Sequence, residues 1–262
     1  MDVLPPWFTN LFSIMLGLVV GSFLNVVIVR LPRSESIIRP RSACPHCHKL
    51  IRWWENIPIL SFILLGGKCH DCKKPISIRY PIIEALTALL FVTAKIRFGW
   101  TLSLVIRDWP FMALIISIAF IDLEHRIIPD ILSVGGLILG ICISLIFPDL
   151  GILKAASGAA LGFGSFYFLA WAYQRYTGRM GLGGGDVKLL AMLGAFIGPE
   201  GVLATILIGS VSGSVVGVVW ALTLQRKNVM KFSIPFGPFL IVGALYYYLL
   251  GDILWFRYMI PT

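Results

Sequence analysis

Asp122, in Phe120-Ile121-Asp122-Leu123, and Asp186, which closes the run Gly183-Gly184-Gly185-Asp186, stand at the edges of strongly apolar segments. An ionisable group at the end of a membrane span is costly to bury, so it is read as functional and in need of a partner. The natural partner of each is the other. Two carboxylates that share a water cannot both ionise cheaply, and one proton is held between them. Such a pair does hydrolytic chemistry: one carboxylate takes a proton from the attacking water, and the other polarises the scissile carbonyl and protonates the leaving amine. The dipole at the start of a helix favours charge on Asp186, whereas Asp122, near a helix C-terminus, feels the opposite sign. Helix polarity therefore predicts Asp186 as the initial base and Asp122 as the initial acid.

The second group able to do chemistry is Cys44-Pro45-His46-Cys47 followed, after 21 intervening residues, by Cys69-His70-Asp71-Cys72. Paired CxxC units at this spacing predict a tetrahedral zinc site with four cysteine ligands. His46, His48 and His70 are substitute ligands by type, but their adjacency to the cysteines fits surrounding or exposed roles better. Cys142 lies inside an apolar run and is expected in the core.

The elements that must position these groups follow from composition. Of 262 residues, 58% are hydrophobic and 13% charged, with a mean hydropathy of +0.87. A soluble domain carries about 25% charged residues, so the chain is expected to be an all-α polytopic membrane protein. Apolar runs at 11–29, 81–95, 110–122, 130–148, 152–173, 187–198, 200–223 and 234–256 predict about eight transmembrane helices. Nothing alternates with period two, which disfavours a barrel. The first run follows Met1-Asp2-Val3-Leu4-Pro5-Pro6, without a basic leader or small-residue cleavage site, and is expected to be a retained span.

Lys and Arg set the orientation. The loops at 30–80, 122–130, 174–188 and 225–231 hold 17 of them; the opposite side receives Lys95, Arg97, Arg107, Lys154 and Arg257. The positive-inside rule puts the first set in the cytoplasm and both termini outside. The net charge of +9 is thereby explained by topology and anionic headgroups of the membrane lipid, and no nucleic-acid partner is expected. Asp122 ends the third span and Asp186 begins the sixth, so both fall at the cytoplasmic face. The glycines before Asp186 are expected to permit a sharp turn and close backbone approach. Among the other acids, Asp130 after Pro129 is expected to cap the fourth helix, Glu124, His125 and Arg126 to form a solvated turn, and Asp108 to pair with Arg107 at the outer surface. Trp53, Trp54, Ile57, Pro58 and Ile59 give the cysteine loop an apolar surface against the membrane.

These residues resemble a known family. Gly21-Ser22-Phe23-Leu24-Asn25 through Arg30-Leu31-Pro32, both CxxC units, Trp54-Glu55-Asn56-Ile57-Pro58, Gly67-Lys68-Cys69, Arg79-Tyr80-Pro81, Glu84, Ile121-Asp122, Ile128-Pro129-Asp130 and Gly183 to Lys188 are similar to the bifunctional type IV prepilin peptidases, aspartic peptidases of the GxGD type. The resemblance implies cleavage of prepilins and type II secretion pseudopilins at the cytoplasmic border of the bacterial inner membrane, then N-methylation of the new amino terminus with S-adenosylmethionine. It implies catalytic roles for Asp122 and Asp186 and zinc ligation by Cys44, Cys47, Cys69 and Cys72. Gly67 and Lys68 match the family pattern and are expected at the cofactor pocket, although no Rossmann-type fingerprint announces one. The expected organisation is a first transmembrane helix over 1–29, a cytoplasmic zinc loop linked to methylation over 30–80, and a transmembrane aspartyl peptidase domain over 81–262.

Other classes fit less well. A carboxylate-based transporter would place its acids near the bilayer midplane, often in two repeats. A membrane phosphotransferase would need clustered aspartates for magnesium. Another GxGD-type intramembrane aspartyl protease would not explain the cysteine loop. The sequence specifies no oligomeric state.

Overall fold

A computed structural model describes residues 4–147, 151–179, 181, 183–224 and 235–254. The start Met1-Asp2-Val3, the basic loop 225–231, Arg257 and the outer ends of the runs at 130–148 and 234–256 lie outside the described residues. Among the described residues there are eight α-helices: α1 (Pro6–Arg30), α2 (Leu60–Leu64), α3 (Arg79–Phe98), α4 (Trp109–His125), α5 (Asp130–Ile146), α6 (Ile152–Thr177), α7 (Gly184–Leu224) and α8 (Gly237–Leu254). The short α2 was not among the expected spans. The two spans expected at 187–198 and 200–223 are both helical and meet within α7 at the expected boundary, Gly198 (φ 72°) and Pro199. A positive φ followed by proline interrupts the helical hydrogen bonding while the chain stays helical on both sides.

Among the described residues, four helical segments are long and apolar enough to cross a membrane: Pro6–Arg33, Leu104–His125, Ile152–Thr177 and Gly184–Thr223; Asp130–Ile146 and Gly237–Gly251 are shorter apolar helices. Large apolar side chains such as Phe168, Leu203 and Val218 are exposed along them, as lipid-facing positions require. The chain is a multi-pass membrane protein.

Two compact units divide within α4, between Ser117 and Ile118. In the first, α1 and α3 lie antiparallel with one register from end to end. Lys95 donates to Asn10 at 2.8 Å, Gly17 and Gly21 abut the backbones of Ala88 and Glu84, and Asn25 donates to Tyr80 O at 3.2 Å. At the far end Trp109 stacks on Phe91 with ring centroids 5.1 Å apart, and its indole N–H donates to Phe91 O. A π-helical turn, Leu104–Asp108, precedes α4. The expected Arg107–Asp108 pair forms at 2.7 Å, but Asp108 is fully buried and not at the surface. The extra residue of the π turn rotates it inward.

In the second unit, α6 and α7 are in backbone contact. A Cβ on Gly158 would run into Gly194 O, one on Gly194 into Gly158 O, and one on Gly162 into Leu190 O. Gly243 of α8 rests likewise on the backbone at Thr205 of α7. Without a hydrophobic force between helices in lipid, such small residues let the backbones meet and supply the packing. Two sequence expectations are corrected here. Cys142 is exposed on α5 and not in the core, because α5 turns Gly136, Gly140 and Ile143 inward instead. Asp130 does not cap α5; Pro129 occupies the cap position, and Asp130 is the first helical residue. Glu124, His125 and Arg126 are exposed as expected, but Glu124 and His125 are the last residues of α4, and only Arg126 (φ 57°) leaves the helix.

The glycine contact gives a test of the packing. Gly158→Leu should lower the thermal midpoint of the protein in detergent by at least about 3 °C, given the roughly 1–3 kcal/mol typical of overpacking. Gly164→Ala, on the same helix but with nothing within 4 Å of its added methyl, should not lower it. Equal midpoints for the two variants would contradict the close α6–α7 approach.

Candidate active site and metal centre

Asp122 sits one turn from the end of α4 and is buried, with 5% of its surface exposed. Its partner is a backbone group: the N–H of Gly237, first residue of α8, donates to Asp122 Oδ2 at 3.0 Å. A Cβ on residue 237 would lie 2.7 Å from that oxygen, so any side chain there would displace the carboxylate. Asp186 is the third residue of α7 and is half-buried; its own N–H bonds to Gly183 O at 3.1 Å. Ile128, in the turn after α4, is wedged between the two helix starts. A Cβ on Gly185 would lie 3.1 Å from Ile128 Cβ, and one on Gly237 would lie 3.4 Å from its Cδ1. Asp122, through Gly237, and Asp186, through Gly185, are thus both placed beside Ile128. The N-termini of α7 and α8 face this spot, and helix N-termini stabilise negative charge.

The glycine run works differently from its sequence expectation. None of Gly183, Gly184 and Gly185 has a positive φ, so they do not make the sharp turn; Gly185 serves close approach to Ile128, while Gly184 faces open space. Gly237 was invisible in sequence, and Asp130, a motif residue there, was given the role of a cap and not its ion pair. Gly237 lies far along the chain in an ordinary Phe-Gly-Pro context. Asp130 pairs with Lys188, whose ammonium contacts Asp130 Oδ1 and Oδ2 at 2.7 and 2.8 Å. This pair ties the start of α5 to the start of α7, two residues beyond Asp186. Lys188 closes the motif Gly183–Lys188, which was the available signal.

The four cysteines converge as expected. The Sγ atoms of Cys44, Cys47, Cys69 and Cys72 all lie within 4.8 Å of one another, and Cys44 and Cys72 are 3.8 Å apart. Four sulfurs at about 2.3 Å from a tetrahedral zinc stand about 3.8 Å from each other, so the set fits the ion. Each CxxC is built in the same way. Ala43 bridges Leu50 and Lys68 bridges Pro75. Within each loop the first cysteine donates to a lysine carbonyl, Lys49 O at 2.9 Å or Lys74 O at 2.8 Å, and a left-handed residue follows the second cysteine, His48 (φ 59°) or Lys73 (φ 57°). The repeated Cys-x-x-Cys-x-Lys carried this pseudo-symmetry in sequence. Lys49 and Asp71 join the two loops at 2.9 Å. This pair holds the Lys49 ammonium above and the Asp71 carboxyl below their usual ranges.

The thiols share charge unequally. Burial pushes the Cys44 thiol up, but hydrogen bonds from the Cys47 and His46 backbone and neighbouring sulfurs outweigh it and bring it to about 7. The Lys49 backbone favours the Cys47 thiolate, yet burial and the sulfurs of Cys44, Cys72 and Cys69 push it up to about 11. Four thiolates this close need a cation among them, and a bound divalent ion would deprotonate all four. His70 stays outside the set and packs edge-on against Trp54. Gly67 (φ 68°) and exposed Lys68 lie at the turn leading into the second loop, where Gly67 faces the Phe62 ring.

Beside the cysteines, the first unit encloses a cavity of about 440 Å³ lined by Asn25, Cys44, Glu55, Cys69, His70, Glu84 and their neighbours. Gly67 and Lys68 are not among its lining residues. Glu84 is buried on α3, and its Oε2 accepts the Ile59 N–H at 2.7 Å. Ile59 has φ 59°, and Leu60 N–H turns back to Pro58 O. A γ-turn on a β-branched residue is strained, and Glu84 holds it in place.

The chain was compared with known proteins. Residues 15–98 match the bacterial peptidase A24 N-terminal domain, and residues 109–218 match the type IV leader peptidase family. Three relatives are each named prepilin leader peptidase/N-methyltransferase. One from Myxococcus xanthus is 44% identical over 86% of this chain and 68% of its own length. One from Pseudomonas aeruginosa is 37% identical over 92% and 90%. One from Neisseria gonorrhoeae is 34% identical over 97% and 95%. No solved structure matches. Two family models matched in succession, a four-cysteine centre and similarity along nearly the whole chain agree, and the chain belongs to the prepilin leader peptidase/N-methyltransferase family.

Proposed function

We propose that the protein cleaves the leader of type IV prepilins and type II secretion pseudopilins at the cytoplasmic border of the bacterial inner membrane, then N-methylates the exposed amino terminus with S-adenosylmethionine. The observation that carries the first half is that Asp122, near the end of α4, is held by the Gly237 N–H at the start of α8, and that Gly237 and Gly185, the residue before Asp186, pack on the same Ile128 side chain. Both sit on the side that the basic loops assign to the cytoplasm. A substrate helix end is where unwinding is cheapest, since its terminal backbone groups already lack partners. An acid pair at that depth reaches the bond without drawing the apolar segment from lipid.

The geometry also speaks to the shared proton. Gly237 N–H bonds to Asp122 Oδ2, and a hydrogen bond to a charged group contributes about 1.5–3 kcal/mol. The helix dipole acting on Asp186 contributes about 0.3–1 kcal/mol. The direct bond wins, so Asp122 is the carboxylate that takes the proton from water and Asp186 is the acid that protonates the leaving amine. This reverses the order that helix polarity alone predicts. A site-resolved titration in which Asp122 keeps the proton while Asp186 ionises would overturn the new order.

S-adenosylmethionine supplies an electrophilic methyl group. In this chain the zinc loop over 30–80 holds the residues for that step, and the helices from 81 onward hold the peptidase. Cys44, Cys47, Cys69 and Cys72 bind structural zinc, which stiffens a loop too small to build much core of its own.

Three outcomes test this reading. Asp122→Asn and Asp186→Asn should each abolish cleavage of a purified prepilin in detergent, by at least about 1,000-fold, while the protein still inserts in the membrane; full activity in either sinks the mechanism. Gly237→Ala should cut cleavage strongly by displacing Asp122 Oδ2, whereas Gly184→Ala, facing open space, should be tolerated. Cys69→Ser should release the metal, measured by mass spectrometry of the digested protein, and weaken methylation more than cleavage. Equal loss of both activities would mean that the loop merely holds the whole enzyme together.

A further inference from the structure

The cavity of the first unit has polar atoms that nothing in the fold satisfies. Asn25 is 2% exposed, and its amide NH₂ donates to Gly21 O and Tyr80 O, both at 3.2 Å. Those two carbonyls fix the amide orientation, because an oxygen turned toward them would repel. Asn25 Oδ1 therefore faces away from both, buried and without a hydrogen-bond partner among the described residues. Glu55 repeats the pattern. Its Oε2 accepts the Arg52 N–H at 2.9 Å, while Oε1 is buried and lacks a hydrogen bond, on a side chain only 8% exposed. The nearest candidate donor is His70 Nδ1, 3.8 Å away and also unsatisfied. That distance is too long for a hydrogen bond.

Asn25, Glu55 and His70 all line the same 440 Å³ space. Leaving a buried polar atom unpaired costs about 1–3 kcal/mol each, and three around one cavity mark a place made for a ligand. The volume falls within the roughly 300–1,000 Å³ of small-molecule sites. The unsatisfied oxygens are acceptors, and Glu55 and Glu84 are two carboxylates on the wall. They call for a ligand rich in N–H and O–H donors that carries positive charge. Lys74 and Arg79 on the same wall suit a carboxylate at one end of it. A nucleoside joined to an α-amino acid through a cationic sulfur has these features: amine, hydroxyl and ammonium donors, a sulfonium, and one carboxylate.

We propose that this cavity is the S-adenosylmethionine site, with Asn25 Oδ1, Glu55 Oε1 and His70 Nδ1 as its buried polar contacts. The proposal rests on the methylating half of the function above and names the residues that half uses. Cys44 and Cys69 also line the space, so the metal centre forms one of its walls. Gly67 and Lys68 shape the turn behind that wall and do not touch the ligand.

The test uses the full zinc-loaded chain in detergent micelles, with S-adenosylhomocysteine as titrant in calorimetry. Glu55→Gln keeps an oxygen for the Arg52 N–H, and His70→Phe keeps the ring against Trp54. Each should weaken binding at least about tenfold, with metal content and prepilin cleavage unchanged. Gly164→Ala, on α6 with nothing within 4 Å of its added methyl, should bind like the parent. Ultraviolet crosslinking of radiolabelled S-adenosylmethionine to the parent protein provides a readout that needs no variant. Label in peptides covering 22–30, 42–62 or 69–84 supports the site, and label confined to α6 to α8 overturns it. Variant affinities within twofold of the parent overturn the site and leave the methylating function intact. A parent that cleaves prepilin but neither binds nor methylates overturns both.

Discussion

The hydrogen bond from Gly237 N–H to Asp122 Oδ2 fixes more of this protein than any other contact. A carboxylate buried at the edge of an apolar helix needs a donor, and in a segment without basic side chains the cheapest donor is the free N–H at a helix start. That choice places the N-terminus of α8 against the end of α4. It also forces glycine at 237, because the donor can approach only if no side chain intervenes. Further along, Gly243 seats α8 on α7, and Gly194 and Leu190 seat α7 on α6 through Gly158 and Gly162. The helix that carries Asp186 is thus positioned by backbone contact over its length. The Lys188–Asp130 pair then anchors its first turn. Each link is short and rigid, which is what two carboxylates need if they are to share one proton.

The first unit solves a different problem with similar means. Its polar groups are gathered on the 30–80 segment and on the ends of α1 and α3 that face it. Glu84 shows the trade: one carboxylate oxygen holds the strained turn at Ile59, and the side chain still lines the cavity. Asn25 divides its functions in the same way, with the NH₂ spent on the helix pair and the oxygen directed elsewhere. The segment between has too few apolar contacts to form such a wall unaided. Two near-identical cysteine loops, drawn together through four sulfurs, supply the stiffness.

What could be read in the sequence was whatever local pattern determines. Apolar runs located the helices, and the CxxC spacing located the metal centre. The aspartates stood out because charge is rare in such a chain. What escaped depends on contacts between distant segments. Gly237 has no local mark, since its role is defined by an oxygen 115 positions earlier. Asp130 carried every local sign of a helix cap, yet the Lys188 ammonium offered it a charged partner on another helix. Cys142 follows the same logic on α5: hydrophobic character put it in the membrane, but only packing decides which face meets lipid. Asp108 was displaced inward by one extra residue in a π turn, a change of register that composition does not encode. The unsatisfied oxygens of Asn25 and Glu55 are a further step removed, because they are defined by bonds the fold does not make.

The separation of the two sites between units agrees with the order their chemistry imposes. Before cleavage the nitrogen to be methylated is an amide whose lone pair is delocalised into the carbonyl, so it cannot attack a methyl group. Hydrolysis at the proposed aspartate pair would make it an amine. An α-amino group has a pKa of about 7.7–8.0 and is largely protonated at neutral pH, so it must give up a proton before attack. A methylating site therefore benefits from anionic acceptors near the amine, and carboxylates are what the cavity wall presents in Glu55 and Glu84. The aspartate pair could not fill that role as well. In the proposed mechanism the pair would start each turnover with one proton shared between two carboxylates, and a cationic sulfonium beside it would weaken the hold on that proton and disarm the acid. Two sites with opposite demands on their carboxylates are better built on two separate frames.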